Sequence, residues 1–152
     1  MPDVRVSADA HALSHEVAAA IAHAIARAVA ERGRCSLVLS GGETPRPIHQ
    51  VLAQEYRTAI PWTAVKIFWG DERFVPPVDP RSNYRAATKD LLAMVPIPAD
   101  NVHPVRTELA TAADAARAYE ATIADILGTE PRFDLLLLGL GEDGHTASLF
   151  PH

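Results

Sequence analysis

Asp143 and His145 stand in the frame Gly139-Leu-Gly-Glu-Asp-Gly-His145. Histidine titrates near neutral pH and is the natural general base, and a carboxylate beside it is a candidate to orient the ring. Gly139, Gly141 and Gly144 allow backbone angles closed to other residues and let a ligand approach the main chain. Two earlier loops carry chemistry of other kinds. In Ser40-Gly41-Gly42-Glu43-Thr44-Pro45, two glycines expose amide N–H groups, hydroxyls add donors, and a helix N-terminus follows with Thr44 as cap and Pro45 as first residue. That is either an anion site suited to phosphate or an ordinary strand-to-helix turn with a good cap, and the loop alone favours neither. Gly70-Asp71-Glu72-Arg73 is a charge run of the sort usually found in a solvated turn. Here it follows an apolar run and precedes the stiff Phe74-Val-Pro-Pro77, which would hold Asp71 and Arg73 in place.

Each loop follows a segment able to position it. Cys35–Leu39, Val65–Trp69 and Phe133–Leu138 read as strands, and the four leucines 135–138 predict one buried on both sides, as in a parallel sheet. If the three are parallel neighbours, their loops emerge on one edge, where open α/β sheets place their ligands. Helices fill the intervals. Val17, Ile21, Ile25 and Val29 recur at four-residue steps in a helix from about Ala10 to Arg32, stopped by Gly33. A second helix runs from Pro45 to about Tyr56 with Ile48, Val51 and Leu52 inward. A third runs from a Ser82 cap to about Met94 with Tyr84, Ala87, Leu91 and Leu92 inward, and Ser82-Asn83-Tyr84 falls close enough to the charged loop to fold back on it. A fourth spans about Thr111 to Leu127, capped by Thr111 with Asp114 and ended by Gly128. Val4-Arg-Val6 is an edge strand or an extended lead-in. Asn101–Pro104 is a short strand or connector, and His103 reads as structural because Pro104 forces it into extended geometry. Strands alternating with helices predict an α/β fold with a mainly parallel sheet. The 152 residues fit a single α/β domain with no linker and no repeat.

Composition narrows the partners. Hydrophobic residues make up 48% of the chain, enough for a core, and the net charge of −5 argues against nucleic acid. The single cysteine, Cys35, cannot form an internal disulfide and reads as an inert core thiol. No apolar stretch approaches the ~20 residues that span a membrane, and Met1-Pro-Asp-Val-Arg has no apolar run behind a basic one. A soluble, cytoplasmic protein is expected. Gly139-Leu-Gly141-Glu-Asp-Gly144 has dinucleotide-loop spacing, but on a late strand with no long helix after it, and is set aside. No metal-ligand spacing is present, no cofactor is called for, and nothing signals an oligomeric state.

Three segments taken together carry a family resemblance: Ser40–Pro45; Trp69–Pro76 with Ser82-Asn83-Tyr84; and Leu138–Pro151. In this order and spacing they resemble the signatures of the family that includes 6-phosphogluconolactonase and glucosamine-6-phosphate deaminase, over essentially the whole chain. Within it, Arg73 and Thr146-Ala-Ser-Leu-Phe-Pro151 are similar to the lactonase branch, since the deaminases carry tyrosine at the first position and continue differently at the second. The resemblance implies a three-layer sandwich around a Rossmann-like sheet, as in the glucosamine-6-phosphate deaminase and ribose-5-phosphate isomerase-like folds. It also implies that the family's C-terminal third, with further basic residues for the substrate phosphate, is lacking from this chain.

The implied activity is hydrolysis of 6-phospho-D-glucono-1,5-lactone in the oxidative pentose phosphate pathway, by a water that His145 activates. Asp71 or Asp143 would orient the imidazole, and Asp71 would alternatively hold a sugar hydroxyl. Arg73 would bind phosphate or stabilise the charge growing on the carbonyl oxygen. Ser40, Gly41, Gly42 and Thr44 would cradle the phosphate. Two other functions remain open: a sugar-phosphate isomerase or deaminase, which the residues after His145 disfavour, and a sugar-phosphate-binding module without turnover.

Overall fold

A period-two division of side chains runs through the sheet and decides which face is packed. The computed structural model describes residues 3–151; Met1 and Pro2, which open the stretch considered for a targeting signal, and the terminal His152 lie outside the described residues. Strands β1 (Cys35–Leu39) and β2 (Val65–Trp69) pair in parallel from Cys35↔Val65 to Leu39↔Trp69. Strand β3 (Leu135–Leu136) pairs in parallel on the other side of β1, giving the order β2-β1-β3. Cys35, Leu37 and Leu39 of β1 face the same core as Val65, Ile67 and Trp69 of β2, with Leu135 and Leu137 packed against it. Alternate residues of a strand point to opposite faces, so Val38, Phe68 and Leu136 share the other one.

The first face is covered by helices α1 (Ala10–Arg32) and α2 (Pro45–Glu55), and by α3 (Asn83–Ala87), which runs on as a π turn over Thr88–Leu92. Helix α1 starts where the Asp9 carboxylate accepts from the Ala12 N–H and ends at Gly33, whose φ of 72° is left-handed. It buries Ala18, Ile21, Ile25 and Ala28, while Val17 and Val29 are only partly covered. Ile48, Val51 and Leu52 of α2 and Ala87, Leu91 and Leu92 of the third helix are buried as their spacing predicts. A fully buried leucine such as Leu37 makes its truncation to alanine cost about 2–5 kcal/mol. Cys35 lies in this core, where burial pushes its thiol up to about 12, so it is not a thiolate near neutral pH.

The second face is thinner. Phe68 is fully buried beneath the rings of His103, at 5.0 Å, and Phe133, at 5.2 Å. One row further across the sheet Leu136 is 47% exposed, and Leu138 is 57% exposed. The expectation of a β3 buried on both sides from Phe133 to Leu138 is therefore corrected. The ladder covers only Leu135–Leu136, extended by the Leu137 N–H to the Val38 carbonyl at 3.0 Å. Four leucines signal burial of all four only where both faces have covers, and among the described residues nothing covers Leu136 and Leu138. Asp134 anchors this strand by accepting from the Ser36 N–H at 2.7 Å and hydroxyl at 2.8 Å, and from Arg32.

Helix α4 (Ala112–Leu127) has the predicted Thr111 cap, which receives the Asp114 N–H at 3.1 Å, but Ala115 is its only fully buried residue. Val4 and Val6 form no strand and are exposed. No helix among the described residues is long and apolar enough to cross a membrane. The architecture is α/β with a parallel sheet.

Candidate functional site

All three loops leave the carboxyl ends of their strands, and they meet around one cavity of about 220 Å³. Ser40, Gly41, Gly42 and Thr44 form one wall, Asp71 and Arg73 a second, and Gly139, Gly141, His145 and Ala147 a third. Of the residues given catalytic or substrate-binding roles in the sequence analysis, Asp143 alone does not line it, and of the three loop glycines Gly144 does not.

Asp143 sits behind the histidine. Its Oδ1 lies 2.5 Å from His145 Nδ1 and 3.1 Å from the His145 N–H. The hydrogen bond from the ring, then the one from the backbone, holds the Asp143 carboxyl below the usual carboxylate range. A carboxylate acceptor at Nδ1 favours the tautomer with its proton on that nitrogen, which turns Nε2 into the acceptor. Phe150 stacks on the imidazole with centroids 4.7 Å apart. Gly141 is required beside it, because a β-carbon there would run into the His145 ring and the Asp143 carboxylate. The loop closes on itself through the Gly141 N–H to the His145 carbonyl at 2.8 Å and the Thr146 hydroxyl to the Gly139 carbonyl at 2.7 Å. Ala147 is held at a φ of +51°, a left-handed value that costs a side-chain-bearing residue about 1 kcal/mol or more.

Asp71 does not touch His145 through a hydrogen bond; it joins the loops. Its Oδ2 accepts from the Ser148 hydroxyl at 2.8 Å, linking the second loop to the third. Its Oδ1 and its carbonyl accept from the Asn83 Nδ2 at 3.3 and 3.1 Å. Of the two carboxylates considered as orienting groups, Asp143 is the one in contact with the ring.

Residues 82–84 do fold back, and the reason is Glu72. One carboxylate oxygen accepts the Asn83 N–H at 2.7 Å; the other accepts the Tyr84 N–H at 2.8 Å and the Ser82 hydroxyl at 3.1 Å. A carboxylate here satisfies the unpaired donors at the start of α3. Glu72 and Ser148 went unmarked in the sequence. The signal for Glu72 was present, an acidic residue ten positions before a Ser-Asn helix start, whereas nothing local marks Ser148.

The Ser40–Pro45 loop differs from its expected capping. Thr44 has helical backbone angles and its side chain makes no capping bond. Its hydroxyl is thus not committed to the helix, and Pro45 starts α2 as predicted. No group of three or more histidine, cysteine, aspartate or glutamate side chains suited to hold a metal is present among the described residues.

The profile of the family described as glucosamine-6-phosphate isomerases/6-phosphogluconolactonase matches residues 8–152. The chain is 48% identical over 128 residues to a 6-phosphogluconolactonase of Synechocystis, covering 82% of this chain and 52% of that protein. It is 45% identical over 119 residues to one of Treponema pallidum, covering 76% and 49%. Among solved structures, the 6-phosphogluconolactonase of Trypanosoma brucei superposes with a TM-score of 0.86 at 35% identity, over 99% of this chain and 64% of that one. That of Thermotoga maritima gives 0.84 at 34%, over 96% and 62%. The chain spans about half the length of the curated relatives it matches.

Proposed function

The chain belongs to the family of glucosamine-6-phosphate isomerases and 6-phosphogluconolactonases, and from that premise we propose that it hydrolyses 6-phospho-D-glucono-1,5-lactone to 6-phospho-D-gluconate. The setting proposed is the cytoplasmic oxidative pentose phosphate pathway. The observation that carries this is His145, oriented by Asp143 at 2.5 Å, in one cavity with Arg73 and the Ser40-Gly41-Gly42 loop. The relatives named above are 6-phosphogluconolactonases, which favours the lactonase over the isomerase branch.

In this reading a water gives a proton to His145 Nε2 as its oxygen bonds to the lactone carbonyl carbon. The imidazolium is stabilised by Asp143, a step of the kind that supplies about 10²–10⁴-fold in rate. Arg73 stabilises the oxyanion. The carbonyl re-forms, the ring C–O bond breaks, and the departing oxygen takes the proton back from His145. Amides of Gly41 and Gly42, with the Ser40 and Thr44 hydroxyls, hold the phosphate. Asp71 keeps the second and third loops in register and offers its carboxylate to a sugar hydroxyl. The residues use no metal and no cofactor in this scheme.

The test is hydrolysis of freshly prepared lactone by the 152-residue chain, corrected for spontaneous hydrolysis and run beside His145→Ala. Turnover that disappears in the variant is expected. Equal background rates for both proteins would overturn the assignment of lactonase activity to this chain.

A further inference from the structure

A second cavity, of about 410 Å³, adjoins the first and shares Gly42, Glu43 and Arg73 with it. Its cationic lining is Arg46, Arg73, Arg81, Arg85 and Lys89, and Glu43 is its one carboxylate, on a chain whose net charge is −5. Two of the cations are already matched. Arg46 pairs with the buried Asp90 at 2.8 Å and with Glu43 at 3.3 Å, and Arg81 pairs with Asp79 at 2.9 Å. Arg73, Arg85 and Lys89 make no ion pair among the described residues; Arg85 has only a longer-range attraction to Asp79. Arg85 and Lys89 lie four positions apart on one helical run, spanning the end of α3 and the π turn, and both face the cavity. Like charges at that spacing repel each other, and only the more distant Asp79 offsets the charge of Arg85.

We propose that this cavity is a second anion site, distinct from the lactone cavity, for a ligand carrying two phosphoryl groups, a diphosphate or a sugar bisphosphate. The cavity is nearly twice the volume of its neighbour, more than one phosphoryl group fills. Two phosphoryl groups carry about −3 to −4 at neutral pH, which three unmatched cations neutralise. Guanidinium forks from Arg73 and Arg85 suit paired phosphate oxygens, and Lys89 adds a point charge. Because Arg73 belongs to both cavities, an occupant here draws on the cation that stabilises the oxyanion in the lactone cavity and slows turnover there. The site stands on its lining alone and does not depend on whether the chain hydrolyses a lactone.

Calorimetric titration with inorganic pyrophosphate and with orthophosphate tests it, on the wild-type chain, Arg85→Ala/Lys89→Ala, His145→Ala and the remote control Arg5→Ala/Arg27→Ala. Expected is pyrophosphate binding about tenfold or more tighter than orthophosphate, and weakened by about tenfold or more in Arg85→Ala/Lys89→Ala. It should be unchanged in His145→Ala and in the control, with all variants keeping the wild-type thermal midpoint. Absence of binding would overturn the proposal, as would equal affinity for the two anions. An equal loss in the remote control would reduce the effect to overall charge and overturn it too, and undiminished binding in Arg85→Ala/Lys89→Ala would place the anion elsewhere.

Discussion

The Asn83 carboxamide occupies the space that a side chain at Gly41 would need. A β-carbon at position 41 would collide with the Oδ1, Cγ and Nδ2 atoms of Asn83. Asn83 itself is 6% exposed and donates to Asp71. That amide sits between the first and second loops, packed close to Gly41 and hydrogen-bonded to Asp71. Gly41→Ala is expected to push Asn83 off Asp71 and spread the loops. A displacement of about 1 Å in a catalytic arrangement can cost about 10² in rate, so kcat/KM for the lactone should fall by one to two orders of magnitude. Wild-type kinetics in Gly41→Ala would show that the contact positions nothing.

Glu72→Gln removes the charge from an acceptor of three hydrogen bonds at the start of α3. Each such bond to a charged group is worth about 1.5–3 kcal/mol when intact, and glutamine retains one oxygen acceptor. A loss of about 2 kcal/mol in urea unfolding is expected. An unchanged urea midpoint would falsify the role given to this carboxylate.

Asp143→Asn keeps the size of the side chain and removes its charge. The amide has no negative charge with which to stabilise the imidazolium, and it can present a donor to Nδ1, which favours the unwanted tautomer. Lactone turnover is expected to drop about tenfold or more, with KM nearly unchanged because Asp143 does not line the cavity. A rise in KM at constant kcat would instead assign Asp143 to substrate binding.

His49 is 2% exposed and its Nε2 has no partner. Burial pulls it down from 6.5 to about 4, with the nearby Asp90 opposing. Between those values the unfolded chain binds a proton that the folded chain refuses, so stability falls as pH drops from about 6.5 towards about 4 and then flattens. The whole effect is at most about 3 kcal/mol. His49→Leu should remove this acid limb while leaving stability at pH 7.5 similar or higher. Parallel pH dependences of the urea midpoint for the two proteins would exclude His49 as the source.

Leu136 and Leu138 present an uncovered apolar strip on the second face of the sheet. Such strips promote association. Leu138→Lys should lower concentration-dependent self-association in sedimentation while shifting the thermal midpoint little, because exposed substitutions usually stay within about 0.5 kcal/mol. Unchanged association would mean that this strip is not the contact surface.

The strands, the helices and the meeting of the three loops were legible because each rests on local pattern: apolar runs of five or six residues, four-residue steps, glycine after a helix. The burial of β3 was not, since Leu135-Leu-Leu-Leu138 looks the same whether or not the second face has a cover. The Thr44 cap failed for a related reason: a threonine before a proline looks like a cap whether its backbone is extended or helical. Glu72 and Ser148 depend on contacts with residues at sequence separations of 10 to 12 and of 77. A charge run reveals that it is charged but not which member turns inward.

The outer edge of β2 is closed by side chains and single residues instead of a strand. The Tyr119 hydroxyl accepts the Trp69 N–H at 2.8 Å and donates to the Trp69 carbonyl at 3.0 Å, while the His103 N–H reaches the Ile67 carbonyl at 2.9 Å. Those are the main-chain groups that a foreign β-segment would use to dock by strand addition. With them occupied, β2 is a poor template for amyloid-like or domain-swapped pairing, and lateral growth of the sheet has one permitted direction, outward from β3.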